Sequence, residues 1–305
     1  MTLPAEGRVS VAVPASSANL GVGFDCLALA LDMYLRVSVE VIEGPQSSLS
    51  VEGEGRARLA LDESNRFLAG LRAAWRARGG GEPRALAITM ANEIPLGRGL
   101  GSSAAATVAG LLAAAALVGA QFNDDDLLDM ANAIEGHPDN AAAAVLGGFV
   151  VVAGGRAARI EPPAGLRCVL FVPERELATV DMRAVLPATV TLDDAVVNAA
   201  GVGAVVAAFA TGNLALLRHM SDDRLHEPYR ASVYPELPAL KAAAIEAGAY
   251  GCALSGAGSS VLALTDESRA QSVAVALDEA AGRVALAGTV RMLSPALAGA
   301  RLTEE

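Results

Sequence analysis

The sequence predicts an α+β protein of two domains. Strand-like and helix-like segments follow one another unevenly in both halves, which argues against a regular parallel sheet. With 305 residues and 53% hydrophobic composition, the chain can bury a large core, and its length suggests two domains. Gly154-Gly155 and Pro162-Pro163 mark the best boundary and separate residues 1–160 from 161–305.

Each element has a local reason. Residues 8–13 alternate and end at Pro14, as a strand does; residues 33–42 alternate Leu35, Val37, Val39 and Val41 against Arg36, Ser38 and Glu40. A polar loop with Gly44 and Pro45 follows. Leu68, Leu71 and Trp75 give one face of a helix over 63–78, stopped by Gly79–Gly81. Residues 84–90 read as a strand, 104–116 as an alanine-rich buried helix, and 123–134 as a helix capped by Asn123 with acids in its first turn. A short helix over 140–146 and a strand over 147–153 complete the first half. The second half reads as a strand at 167–172, a glycine-broken helical region over 192–220 and a helix at 236–247. Strands at 250–254 and 260–265 flank a glycine turn, before a helix at 266–281 and a last strand at 283–291.

Composition excludes several functions. The formal charge of −11 argues against nucleic acid, which needs basic patches. No run of eighteen strongly apolar residues lacks polar breaks, so no membrane span is read. The N-terminus, Met-Thr-Leu-Pro-Ala-Glu-Gly-Arg, lacks the basic and apolar regions of a secretory signal. Cys26, Cys168 and Cys252 are isolated in apolar surroundings and read as buried small hydrophobes of a reducing compartment. Three histidines are too few for a multi-His metal site.

The segment Pro95-Leu-Gly-Arg-Gly-Leu-Gly-Ser-Ser-Ala-Ala105 carries the most chemistry. Gly97, Gly99 and Gly101 permit positive φ and a close approach to a ligand, and a helix start offers unpaired N–H groups and a positive dipole end. Together they form a phosphate cradle. Ser102 and Ser103 can cap the helix, touch phosphate or reach a metal. No Lys follows Gly101, so this is not a Walker A loop, and the spacing is not that of a dinucleotide fingerprint.

Three other clusters stand out. Pro14-Ala-Ser-Ser-Ala-Asn-Leu-Gly-Val-Gly-Phe-Asp25 is either a turn or a small-residue ligand loop. Glu135-Gly-His-Pro-Asp-Asn140 offers Glu135 to a hard cation such as Mg²⁺, or a solvated helix end with Asp139 or Asn140 as the next helix cap. Gly251-Cys-Ala-Leu-Ser-Gly-Ala-Gly-Ser-Ser260 is a hairpin or a close approach to a ligand. Arg183 and Arg230 suit a bidentate grip on a carboxylate.

Together these segments resemble the GHMP kinases, and within them the homoserine kinase family. The first and third clusters, the glycine loop, and Glu227-Pro-Tyr-Arg230 match the family's motifs in order. The resemblance implies an N-terminal domain like ribosomal protein S5 domain 2 and a ferredoxin-like C-terminal domain. It implies a cytoplasmic enzyme, as a homodimer, that transfers the γ-phosphoryl of ATP to the side-chain hydroxyl of L-homoserine in threonine synthesis. By position, Ser103 and Glu135 would bind Mg²⁺ and act with Asn140 in catalysis. Asn65 would contact the base, and Pro95, Leu96, Gly97, Arg98, Gly99, Leu100, Gly101, Ser102, Ser103, Ala104 and Ala105 would hold the nucleotide. Asn19, Asp25, His137, Thr179, Arg183, Arg230 and Gly258 would form the amino-acid pocket, with Asp25 on the ammonium and the arginines on the carboxylate. Asp139 would brace the Mg²⁺ and phosphate loops rather than act as base. Two positions depart from the family: Ser259-Ser260 replaces the usual Pro-Thr, and Ala178 replaces the Ser before Thr179.

Overall fold

The computed structural model describes residues 7–78 and 85–303. The expected stop at Gly79–Gly81 and residues 1–6, on which part of the secretion reading rests, lie outside the described residues. The described strands are β1 (Arg8–Ala18), β2 (Leu27–Val41), β3 (Ser48–Gly53), β4 (Leu86–Asn92), β5 (Phe149–Ala153), β6 (Arg156–Ile160), β7 (Leu166–Pro173), β8 (Gly251–Leu254), β9 (Val261–Asp266), β10 (Gly288–Leu293) and β11 (Arg301–Thr303).

They form two sheets. The first runs β11-β1-β2-β4-β3, with β5 beside the start of β2 and β6 beside β5. Only the β3–β4 pair among these is parallel. The second sheet runs β10-β7-β9-β8 and is antiparallel throughout. That order, with helices between β7 and β8 and between β9 and β10, is the ferredoxin-like βαββαβ arrangement. The chain's end returns to the first sheet, where Val11 faces Leu302.

The helices are α1 (Arg66–Ala77), α2 (Ser102–Leu117), α3 (Asp124–Glu135), α4 (Pro138–Leu146), α5 (Thr179–Ala184), α6 (Leu192–Thr211), α7 (Glu227–Arg230), α8 (Leu237–Glu246) and α9 (Glu267–Arg283), with a 3₁₀ turn at Leu214–Ser221 before α7. Local chemistry sets several starts. Asn123 and Asp126 form a reciprocal capping box at α3, whose first turn carries three acids that complement the dipole. Asp266 caps α9 by accepting from Arg269 N. The alanine-rich α2 buries Val108, Ala109, Leu111 and Ala113 in the larger core, where their small side chains permit close packing. A second core beneath the β7–β10 sheet includes Phe171, Tyr234, Leu240, Val273 and Leu277.

Several local expectations change. The polar loop after Gly44 contains an edge strand, β3, whose Leu49 and Val51 pack on the core while its serines face water. Gly154-Gly155 is the turn of the β5–β6 hairpin. Gly201 and Gly203 do not break the helix expected over 192–220; it runs on to Thr211 and ends at Gly212, in the left-handed conformation. Gly201 instead lets α6 lie against Val22. The last strand begins at Gly288 because residues 283–284 finish α9. Cys168 and Cys252 are buried, and burial pushes both thiols up to about 12, whereas Cys26 is only partly buried. Among the described residues α6 is long and apolar enough to cross a membrane. Here it packs Val205, Ala208 and Phe209 into the core, and its Asn198 amide donates to Val22 O and Asp223.

Candidate active site

The site lies where the two sheets meet. One wall is built by the turn from β4 into α2. Gly97, Gly99 and Gly101 all have φ near +70°. A Cβ at Gly99 would lie 2.0 Å from Ser255 O, and one at Gly101 would lie 2.0 Å from Ser16 Oγ. No other residue type fits these two positions without moving the neighbouring strand or turn. Gly101 is also the N-cap of α2 and supplies no capping side chain, so the expected capping role of Ser102 and Ser103 is not taken up. Their hydroxyls make no hydrogen bond among the described residues, and the first N–H groups of α2 stay open to a ligand.

Arg98 fastens this loop to the second sheet. Its Nε donates to Pro173 O (2.6 Å), Nη1 to Leu96 O (2.9 Å) and Nη2 to Glu174 O. Ser255 Oγ bridges Gly99 O (2.7 Å) and Ser17 Oγ (2.8 Å). The loop is therefore held from three elements before any ligand arrives.

Two cavities meet at Gly97, Ser102 and Ser103. One, of about 230 Å³, is lined mainly by apolar groups that include Leu59, Phe67, Met90 and Leu96. The other, of about 170 Å³, is polar and gathers Asn19, Asp25, Glu135, His137, Asp139, Asn140, Thr179, Arg183 and Arg230 around the glycine loop. Residues more than two hundred positions apart in sequence thus share one polar chamber.

The polar cavity has an acidic and a basic side. Glu135, at the end of α3, accepts from the buried Thr107 Oγ1 at 2.6 Å through Oε1. Asp139 is 2% exposed, and its Oδ1 accepts from Asn140 N at 2.7 Å. Burial, with a contribution from Asp25, pushes its carboxyl up to about 6. Asn140 Oδ1 in turn accepts from Ser16 Oγ at 2.8 Å. Neither Asp139 nor Asn140 caps α4 as expected: the helix starts at Pro138 and its N-cap is His137, which provides no side-chain cap. Burial and the nearby Arg183 hold the His137 imidazole below its ordinary pKa.

Opposite, Arg183 Nη2 donates to Asp25 Oδ1 at 2.6 Å, and its Nε is buried without a partner. Asp25 sits at φ +53, its N–H held by Asn19 Oδ1 at 3.0 Å. Arg183 and Arg230 both lie over the Phe24 ring, 5.3 and 5.4 Å from its centroid. Arg230 is 1% exposed; burial and Arg183 lower its pKa to about 10, so it stays charged at neutral pH.

Two family models match the chain: GHMP kinases N terminal domain over residues 65–148, and GHMP kinases C terminal over residues 205–283. The homoserine kinase of Moorella thermoacetica is 40% identical over 294 residues, covering 95% of this chain and 98% of its own. The homoserine kinase of Streptomyces avermitilis is 44% identical over 287 residues, 91% of this chain and 93% of its own. The chain belongs to the homoserine kinase family of GHMP kinases. The crystal structure of homoserine kinase from Cytophaga hutchinsonii superposes with a TM-score of 0.88 at 30% identity, over 99% of both chains. A mevalonate kinase structure, 14% identical with a TM-score of 0.69, shares the fold.

Most residues expected at a homoserine kinase site line the polar cavity, but four do not. Asn65 and Leu96 line the apolar cavity instead. Asn65 spends its side chain on structure: Oδ1 accepts from Leu68 N (3.2 Å) as the α1 cap, and Nδ2 donates to Ala60 O (2.7 Å). Ala105 is fully buried in the core. Gly258 lies outside both cavities, packed towards Leu254 and Leu177, and Gly256 and Ala257 line the polar chamber in its place. Where the family has Pro-Thr, Ser259 Oγ donates to Arg175 O at 2.5 Å, while the buried Ser260 hydroxyl has no partner. Sequence reasoning gave no role to Ser16, Thr107 or His226. Ser16 was signalled by its place in the first motif, and His226 by its place directly before Glu227.

Proposed function

We propose that this chain transfers the γ-phosphoryl of ATP to the side-chain hydroxyl of L-homoserine, giving O-phospho-L-homoserine. The observation that carries this reading is the joining of an open helix N-terminus to a chamber whose far side pairs the Asp25 carboxylate with two arginines, Arg183 and Arg230, away from Glu135 and Asp139. A phosphate chain suits the first, and the ammonium and carboxylate of an α-amino acid suit the second. The adjoining apolar cavity suits a nucleoside.

The donor set fits Mg²⁺. Among the described residues no group of three or more His, Cys, Asp or Glu is arranged to hold a metal. A cation here would instead share Glu135, the Ser103 hydroxyl and phosphate oxygens, the ligand mix Mg²⁺ accepts. When bound it supplies neutralisation of charge on the transferring phosphoryl group. The open N–H groups of α2 and its dipole stabilise the same charge from the protein side. Thr107 fixes one Glu135 oxygen, leaving the other for the site. Asn140, tied to Ser16 and Asp139, holds the start of α4 against the phosphate loop. Phosphoryl transfer depends chiefly on positioning and charge stabilisation, so this reading needs no strong base. Asp139, buried and bonded to its own helix, acts as a brace.

Incubation with MgATP and L-homoserine, followed by ³¹P NMR, is expected to show a phosphomonoester that comigrates with O-phospho-L-homoserine. ATP hydrolysis with no homoserine-dependent product would refute the proposal.

A further inference from the structure

Arg230 is reached by a residue that contacts neither cavity. His226 is fully buried, one helical turn before Arg230. Its Nε2 lies 2.8 Å from the carbonyl of Gly21, and its Nδ1 lies 3.0 Å from Arg230 Nη1. A carbonyl oxygen only accepts, so Nε2 carries the proton. An arginine nitrogen only donates, so Nδ1 carries none. Both partners thus require the same neutral tautomer. Burial, with Arg230, lowers the imidazole pKa and outweighs Asp223, Glu227 and the Gly21 carbonyl, which act the other way.

The bonds close a ring. Arg230 Nη1 also donates to Gly256 O at 3.0 Å, and the same carbonyl accepts from Asn19 Nδ2 at 2.8 Å. Arg230 Nε donates to Met182 O at 3.2 Å. Nη2 makes no hydrogen bond among the described residues, although Arg230 lines the polar cavity. Asp223 steadies the base of the arrangement: its carboxylate accepts from His226 N (2.9 Å), Glu227 N (2.7 Å) and Asn198 Nδ2 (2.8 Å).

We infer that His226 is a positioning residue for the amino-acid substrate: its unprotonated Nδ1 holds one arm of Arg230, aiming the free arm at the substrate carboxylate, while its Nε2–H ties that arm to the Gly21 loop that carries Asn19 and Asp25. The ring fixes the spacing between the carboxylate grip and the ammonium grip, and so selects the distance between the two charges of the ligand. This inference rests on Arg230 being the carboxylate anchor.

Two side chains separate the bonds. His226→Gln keeps a donor for Gly21 but offers no acceptor at the Nδ1 position. His226→Asn places a carbonyl oxygen near Nδ1 and restores the acceptor. His226→Gln is expected to raise the homoserine KM about tenfold. KM for ATP and kcat should stay within about threefold, because only the aim of Arg230 is disturbed, and His226→Asn should recover most of the loss, because it restores the acceptor that holds the Nη1 arm. Arg230→Ala is measured alongside. If Arg230→Ala raises the homoserine KM but His226→Gln leaves it at the wild-type value, the inference is overturned and the pocket stands. If the Gln and Asn variants raise it equally, the acceptor is irrelevant and the inference is again overturned. If Arg230→Ala itself leaves homoserine binding intact, both the anchor and the inference built on it are overturned.

Discussion

The two ends of the site are built in opposite ways. At the start of α2 the donors are open: among the described residues the Ser102 and Ser103 hydroxyls have no partner, and Gly101 offers no side-chain cap. Around Arg230 most polar groups are already engaged, with Asn19, His226, Met182 and Gly256 in one connected set and Asp25 paired to Arg183, while Arg230 Nη2 and Arg183 Nε make no hydrogen bond among the described residues. The phosphate end is backbone geometry awaiting charge. The amino-acid end is a rigid frame of side chains that a ligand enters by adding partners. On the proposed reading the first suits any nucleoside triphosphate and the second discriminates, above all through the buried Arg230, which a ligand without a carboxylate leaves unpaired.

Substitutions at the two ends should therefore split kcat from KM. The largest effect is expected from Glu135→Ala, which should lower kcat by about 10²–10³, the scale for losing one group that stabilises transition-state charge. Its homoserine KM should move little, and steady-state kinetics at saturating Mg²⁺ check both. Arg230→Ala should do the reverse. Removing one partner of a buried charge pair costs about 2–5 kcal/mol, roughly 30-fold or more in homoserine KM, with KM for ATP nearly constant. Arg230→Lys should rescue only in part, since it lacks the fork.

Asp139 tests the brace between the ends. Its carboxyl is raised to about 6 by burial, so the folded protein holds this proton where the unfolded chain loses it. Stability from this group is full below the unfolded pKa and is lost as pH rises through the folded one. From about pH 4.5 to about pH 7 the wild type should lose about 2 kcal/mol relative to Asp139→Asn, by denaturant unfolding. An equal slope in both proteins would mean the carboxyl is not buried as described. The smallest effect is expected from Thr107→Val, which removes one hydrogen bond to Glu135, worth about 1 kcal/mol. It should raise the Mg²⁺ concentration for half-maximal activity about fivefold, with homoserine KM unchanged.

The same contrast explains what the sequence made legible. The phosphate end is local. Three glycines, two serines and an alanine-rich helix are contiguous, and the structure does bend the glycines into a positive-φ turn that opens a helix, although the serines do not cap it and Ala105 is buried in the core. The Asn123 cap of α3 was readable for the same reason; that Asp126 completes a reciprocal box with it is seen only in the structure. The frame at the other end depends on pairs such as Gly21 with His226 and Asn19 with Gly256, 205 and 237 positions apart, which no local pattern encodes. Gly258 was expected at the substrate because it lies in a matched motif, but the fold turns Gly256 and Ala257 inward instead. The strands missed, β3, β6 and β11, are short, partly exposed edge or hairpin strands with a weak alternating signal, stabilised by neighbours that only the tertiary fold supplies.

The chamber is proposed to read both charges of an α-amino acid beside a phosphate loop. The most direct measurement is kcat/KM with MgATP for L-homoserine, 4-hydroxybutyrate, which lacks the ammonium, and 3-amino-1-propanol, which lacks the carboxylate. 3-Amino-1-propanol should fall below homoserine by about 30-fold or more, since it leaves the buried Arg230 without a charge partner, and 4-hydroxybutyrate by a smaller factor, since Asp25 is partly exposed and keeps Arg183. Comparable activity on either analogue would contradict the account.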